Sequence, residues 1–118
     1  MPNIFDFTSL YRRTKHAAGL TGSVVTISLG RVSAKSLLVL THVTVEDRTS
    51  PYTRVRLGIN SAGLIYYIDE LITVAAAELV VSRSDILLAE GDVFFTELTG
   101  TITGDVLVFT AIGWKQTI

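Results

Sequence analysis

Apolar and polar residues alternate with a period of two in one segment after another from residue 25 onward, and this pattern limits the fold more than any other feature. In the first such segment, Val25, Ile27 and Leu29 alternate with threonine and serine. Side chains two residues apart lie on the same face of a strand, so this spacing is typical of β-strands with one buried face. Valine, isoleucine and threonine make up 38 of the 118 residues, and β-branched side chains fit a pleated sheet better than a helix.

Further strands are predicted wherever the alternation returns between clusters of turn-forming residues. Residues 71–81 fit a helical turn and a strand equally well, and both interpretations stay open. Seven or eight short strands without intervening helices predict an all-β chain folded as an antiparallel β-sandwich or jelly roll, with an up-and-down barrel as the alternative. The predicted strands after the first are Lys35–Glu46, Tyr52–Ile59, Leu64–Asp69, Ile86–Leu88, Val93–Leu98 and Asp105–Trp114.

The N-terminal segment differs, because its apolar residues follow helical spacing at i, i+3, i+4 and i+7. This spacing predicts one amphipathic helix over residues 6–18, with an arm that orders only on binding as the alternative. Residues 1–20 are therefore predicted to be a helix or arm, and 21–118 a β-sandwich domain. We expect the segment to attach the protein to a partner, and its removal to leave the sandwich folded. Its candidate partner-binding residues are Phe5, Phe7, Leu10 and Tyr11.

The composition favours a protein that associates with other proteins. The net charge of −1 lacks the basic excess of a duplex-binding domain, so no specific nucleic-acid partner is expected. No apolar run approaches the roughly 18 residues of a membrane helix, so no membrane partner is expected either. The mean hydropathy of +0.47 is high, and we expect the surplus apolar surface to face another subunit. The stretch 37–40, apolar on both faces, is expected to form an inter-sheet core or a subunit contact.

No pattern of catalytic or metal-ligating residues stands out. The chain has no cysteine, and its two histidines, His16 and His42, are far apart without the spacing of a metal site. The adjacent Asp69 and Glu70 are expected to face opposite sides of a strand, which does not make an acid/base pair. We therefore predict no catalytic residue, no cofactor and no metal site, and a protein that is not an enzyme.

Three polar or aromatic residues of the predicted sandwich are candidates for partner binding. Arg54 and Arg56 form a cationic row on one strand face, which would hold acidic groups or make ordinary cross-strand salt bridges. Trp114, near the end of the last strand, is predicted to be an interface anchor. The alternative function is a carbohydrate-binding module in which Tyr66, Tyr67 and Trp114 stack on sugar rings.

The C-terminal half resembles small virion structural proteins of tailed bacteriophages. The resemblance covers roughly residues 52–114 and includes a short strand with an "xLxxGD" turn and a last strand with the pattern "DxLxFxxxG". It implies a β-sandwich that serves as a capsid decoration or as a neck component of the head-tail connection. The segments that carry it are Arg54–Ile59, Tyr66–Glu70, Ile86–Asp92 and Gly104–Gly113.

The resemblance leads to a prediction about role and partners. We expect a non-enzymatic virion protein, made in the host cytoplasm, that works through repeated protein–protein contacts. Its expected partners are copies of itself, with a trimer among the possible homo-oligomers, and other virion proteins.

Overall fold

The computed structural model describes residues 8–82 and 85–117, and all regular structure in these ranges is β-strand. The predicted all-β sandwich is confirmed, and the strands form two antiparallel sheets. Phe5 and Phe7 lie outside the described residues. The strands are β1 (Thr8–Ala18), β2 (Val25–Ser28), β3 (Ser36–Asp47), β4 (Tyr52–Ser61), β5 (Leu64–Val74), β6 (Val80–Ser82), β7 (Ile86–Leu88), β8 (Val93–Thr99) and β9 (Val106–Thr117).

The two sheets exchange strands along the chain in the order of a jelly roll. The larger sheet has the order β1-β9-β3, and both β6 and β7 pair with the remaining side of β3. The smaller sheet has the order β2-β8-β4-β5. The larger sheet therefore has edges at β1 and at β6 with β7, and the smaller sheet has edges at β2 and β5.

The core lies between the sheets and is built from the inward-facing side chains of the alternating segments. Phe94 from the smaller sheet stacks on Phe109 from the larger one, with ring centroids 5.8 Å apart. Leu40 and Leu98 are fully buried beside them. Each large apolar side chain buried in this way contributes about 1.5–3 kcal/mol. These contacts hold the two sheets together and fix which strands remain at the edges.

The predicted N-terminal helix is wrong. Residues 8–18 form β1, which pairs with β9 residue by residue from Thr8 opposite Gln116 to Ala18 opposite Val106. The apolar residues of this segment fit a strand as well as a helix, because Tyr11 and Ala17 share one strand face and pack against the core. β9 pairs with β1 along its whole length, so the segment adopts the extended conformation of a strand instead of a helix.

Residues 71–81, for which the sequence fitted a helical turn and a strand equally well, form the end of β5 and the start of β6. Leu71–Val74 continues β5, a turn follows at Ala75–Ala77, and Val80 begins β6. The chain therefore leaves β5 only after eleven residues, although the sequence pattern predicted a strand that ends at Asp69. This extension gives the smaller sheet a long edge strand.

Candidate interaction surfaces

β5 is a long edge strand whose side chains are exposed on both of its faces. Ten of its eleven residues are exposed, and only Val74 is buried. One side of the strand pairs with β4, and no strand among the described residues pairs with the other side. An exposed, long and apolar edge strand is a template for pairing with another chain.

The β5 side chains divide between two faces of the sheet. Residues directly opposite each other share a face, so Leu71 and Tyr66 lie on the inner face with their partners Val55 and Ile59. Both remain exposed although they face inward, Leu71 to 40% and Tyr66 to 54%. The outward-facing side chains include Ile65, Tyr67 and Ile72. A bulge leaves Ile68 without an opposite residue on β4.

The apolar surface of β5 is large enough to form most of a stable interface. Seven large apolar side chains are between 40% and 65% exposed. At about 200 Å² for each fully exposed side chain, they present on the order of 700 Å², compared with about 800 Å² per partner in a standard protein–protein interface. The side chains are Leu64, Ile65, Tyr66, Tyr67, Ile68, Leu71 and Ile72.

The predicted cationic row, Arg54 and Arg56, lies on the outer face of the smaller sheet and faces one carboxylate. The Nε atoms of Arg54 and Arg56 lie 3.6 Å and 3.0 Å from Glu70 Oε1. The hydrogen bond from Arg56 to Glu70 raises the pKa of the Arg56 guanidinium. Because Glu70 neutralises part of this row, the arrangement is a cross-strand ion-pair cluster.

Tyr67 belongs to the same outer face as the two arginines, whereas Tyr66 lies on the inner face. The Tyr67 ring lies 4.7 Å below the Arg56 guanidinium and meets the edge of Phe95 at 6.0 Å, and its hydroxyl donates to Glu97 at 3.0 Å. The bulge at Ile68 moves Tyr67 onto this face. No local sequence signal marks that bulge.

A second apolar surface crosses the outer face of the larger sheet. Leu10, Trp114, Val39 and Leu87 occupy directly opposite positions on β1, β9, β3 and β7. Leu87 is 72% exposed and Trp114 is 53% exposed. We call these four residues the apolar row. Its members are distant in sequence. Leu10 and Trp114 were candidate partner-binding residues, and Val39 belongs to the stretch 37–40, whose Leu38 and Leu40 lie in the core between the sheets.

The free side of β1 has the opposite character to β5, because it is cationic. The strand carries Arg12, Arg13, Lys15 and His16, all exposed. The Arg13 guanidinium lies 4.7 Å over the ring of the half-buried Tyr11. Beside it is a cleft of about 170 Å³, to which Arg31 and Lys115 also contribute.

A cleft on the β5 side carries two carboxylates among the described residues of its lining. It has a volume of about 240 Å³ and lies between β5 and β7, with Asp69 and Asp85 in its lining. Ile59, Ile68 and Leu87 supply its apolar walls. The two sides of the sandwich thus differ in charge as well as in hydrophobicity.

Asp47 and Asp105 form a buried carboxyl pair that connects two loops at one end of the sandwich. Asp47 accepts hydrogen bonds from the amides of Thr49 and Ser50, and Asp105 accepts from the amide of Ile102 and the hydroxyl of Ser50. Burial raises the pKa of Asp47, and the hydrogen bonds outweigh burial and lower the pKa of Asp105. Since these bonds join the end of β3 to the loops before β4 and β9, this pair is structural.

The described residues contain no cluster of three or more side chains suited to hold a metal ion, and no helix long and apolar enough to cross a membrane. The aromatic residues of the alternative carbohydrate site do not share a surface. Tyr66 and Tyr67 point to opposite faces of β5, and Trp114 lies on the outer face of the other sheet. A continuous sugar-stacking platform of these three residues is therefore not formed.

The chain matches no family model and no curated protein sequence. Solved structures do match it in fold. A protein of Bacillus endospore appendages, described as forming disulfide-linked pili, aligns with a TM-score of 0.53 and 10% identity over 95% of this chain and 89% of that chain. This likeness supports the β-sandwich fold.

Two looser matches come from other classes of protein. A structure of infectious bursal disease virus Gx strain has a TM-score of 0.48 and 10% identity over 94% of this chain and 42% of that chain. A family 29 carbohydrate-binding module has a TM-score of 0.49 and 10% identity over 95% of this chain and 82% of that chain.

Proposed function

We propose that this protein is a non-enzymatic structural subunit that assembles with copies of itself through repeated contacts. The observation that carries the proposal is β5, which exposes seven large apolar side chains and a backbone edge with which no strand of residues 8–82 or 85–117 pairs. Soluble proteins normally shorten, cover or charge such an edge. A strand that keeps it long and apolar fits a subunit whose edge is covered on assembly.

The more specific role that we propose is a component of a tailed-phage virion, either a capsid decoration or part of the neck. This step rests on the sequence resemblance over residues 52–114. The assembled virion is accordingly the proposed location, with other virion proteins as further partners. Because the chain has no cysteine, its assembly would not be disulfide-linked, unlike the pili named for the Bacillus protein.

Sedimentation velocity over a range of concentrations tests self-assembly. We expect the wild type to form oligomers and the double variant Ile65→Lys/Ile72→Lys to dissociate. Loss of these two half-exposed side chains from an interface is worth about 2–3 kcal/mol, or a Kd weaker by about 30- to 150-fold. Ile102→Lys is the matched control, because Ile102 is 51% exposed in a loop outside β5. A wild type that stays monomeric at high concentration would disprove self-assembly.

Purified particles test the virion role. Mass spectrometry and cryo-microscopy of virions should detect this protein in stoichiometric, symmetry-related copies, and its absence from particles would contradict the proposal. Carbohydrate binding has less support, because Tyr66, Tyr67 and Trp114 lie on separate surfaces. Reproducible glycan-array binding that Trp114→Ala abolishes would favour it instead.

A further inference from the structure

The lengths of the free strand edges limit how two copies can extend a sheet. β2 has four residues, and β6 and β7 have three each. β1 and β5 have eleven residues each, and each pairs with a single neighbour in the described chain. Long pairing between copies of the described sheets therefore involves β1, β5 or both.

Repulsion between like charges disfavours pairing of β1 with β1, or of β5 with β5, between two copies. A full-length antiparallel β1–β1 pair would place Arg13 opposite Arg13 of the second copy, with further cations on both sides. A full-length β5–β5 pair would place Asp69 opposite Asp69. Like charges directly opposite each other destabilise a sheet. Only the combination of β1 with β5 brings opposite charges together.

We propose that β1 of one copy pairs with β5 of the next copy as antiparallel strands. This inference rests on the proposed self-assembly and specifies its geometry. Full overlap, from Thr8 opposite Val74, places Arg12 opposite Glu70 and Arg13 opposite Asp69. In a parallel overlap Arg13 would still lie opposite Asp69, but Arg12 would lie near Ile68. Only the antiparallel direction forms both ion pairs, so the charge pattern favours it.

The faces of the two strands agree in this register. Arg12 and Glu70 both point outward, whereas Arg13 and Asp69 both point inward, toward their clefts. The cationic cleft beside β1 then meets the cleft beside β5 that Asp69 and Asp85 line. Beyond Arg13, the bulge at Ile68 shifts the remaining pairs by one residue, and this shift keeps inward residues opposite inward ones.

The same register joins the two apolar surfaces. Leu10 on the outer face of β1 lies opposite Ile72 on the outer face of β5, so Ile72 of the next copy extends the apolar row beyond Leu10. These two residues are 66% and 65% exposed in the single chain. Pairing would cover both of them.

The proposed contact is head-to-tail, because each copy offers β1 on one side of the sandwich and β5 on the other. An open chain of copies retains one free β1 edge at one end and one free β5 edge at the other until the assembly closes. Such heterologous contacts generate a ring where the rotation between subunits closes, and a filament where it does not. Identical pairs of β5 strands do not occur in this arrangement.

Disulfide cross-linking between single-cysteine variants tests the register. Leu10→Cys and Ile72→Cys leave all charges in place, and the cysteine-free chain gives no background. Opposite residues of an antiparallel pair have Cα atoms about 4.5–5.5 Å apart, which a disulfide spans. Mixing the two variants under mild oxidation should yield a cross-linked dimer of one copy of each.

The control mixture is Leu10→Cys with Ile65→Cys, because both side chains point outward and the two residues would meet in a parallel pair once the bulge at Ile68 is counted. We expect at least about tenfold more cross-linked dimer from the Ile72→Cys mixture than from this control. Equal yields, or efficient cross-linking of Ile72→Cys with itself, would overturn the proposed pairing. A wild type that assembles without the expected cross-link leaves self-assembly standing and removes only this pairing, whereas a monomeric wild type removes both.

Charge reversal provides an independent test. Arg13→Asp and Asp69→Arg should each weaken assembly by about tenfold or more, and the double variant should restore it. Thermal unfolding of each variant separates loss of assembly from loss of fold. Single variants that fold and assemble like the wild type would overturn the proposal.

Discussion

Replacement of Gly113 by alanine should cause a large loss of stability, because two strands of the larger sheet meet closely at this residue. Gly113 on β9 lies opposite Leu40, next to the point where the β3 register shifts. A Cβ atom at Gly113 would lie 1.8 Å from the Val39 carbonyl oxygen and 2.8 Å from Leu40 Cα. Since real Cβ contacts essentially never fall below 3.0 Å, the β3 or β9 backbone has to move.

The size of the effect follows from what that movement breaks. At least two backbone hydrogen bonds between β3 and β9 would be lost, at about 1 kcal/mol each. Misfit around the fully buried Leu40 adds about 1–3 kcal/mol. The expected loss is therefore about 3–5 kcal/mol in the free energy of unfolding, a large part of the roughly 5–15 kcal/mol typical of a domain.

Urea unfolding followed by far-ultraviolet circular dichroism measures this loss. Trp114 is the only tryptophan and adjoins the substitution, so its fluorescence would report a local change. Gly30→Ala is the control, because no atom lies within 4 Å of an added Cβ there, and its effect should stay within about 0.5 kcal/mol. A Gly113→Ala variant within the same 0.5 kcal/mol of the wild type, with an unchanged m value, would refute the reasoning.

Three further predictions concern the core, the buried carboxyl pair and β1. Phe109→Ala should cost about 3–5 kcal/mol in urea unfolding, because Phe109 is fully buried and stacked on Phe94. Folding raises the pKa of Asp47, so the folded chain holds this proton more tightly, and the resulting stabilisation is lost as pH rises above about 4 through the folded pKa. Asp47→Asn should therefore raise the melting temperature at pH 7.5 more than at pH 4, and an equal change at both would contradict this. Deletion of residues 2–18 removes β1 and should abolish the cooperative melting transition; a truncated chain that melts like the wild type would show that this segment is separable.

Period-two alternation predicted most of the strands because it depends only on local residues. The stretches around Val25, Leu38, Val55, Phe94 and Phe109 all appear in the structure as strands whose inward side chains pack in or against the core. Val55 shows the clearest alternation, with Arg54 and Arg56 on either side of it. In such segments local propensity and tertiary structure agree, so the sequence is sufficient.

β1 shows where local pattern fails. Its residues satisfy a helical and an extended period together, and the choice depends on β9, whose Trp114 pairs with Leu10 more than 100 positions away. The same limit applies to the apolar row, which four separate strands assemble. Neither feature leaves a signal within a short window of sequence, because each exists only once the sheet order is fixed.

The sequence pattern of β5 and its position in the sheet indicate different environments, so its role is apparent only from the topology. The run from Leu64 to Ile68 is apolar at every position, a pattern typical of a strand covered on both faces in the middle of a sheet. The jelly-roll order places this strand at an edge instead, where the chain itself covers neither face fully. A sequence suited to a central strand and a position at an edge are compatible if another molecule supplies the missing neighbour. The basic residues of β1 disfavour pairing of β1 with β1 of another copy, and they match the acidic residues of β5. A second copy of this chain is therefore the neighbour that fits both strands.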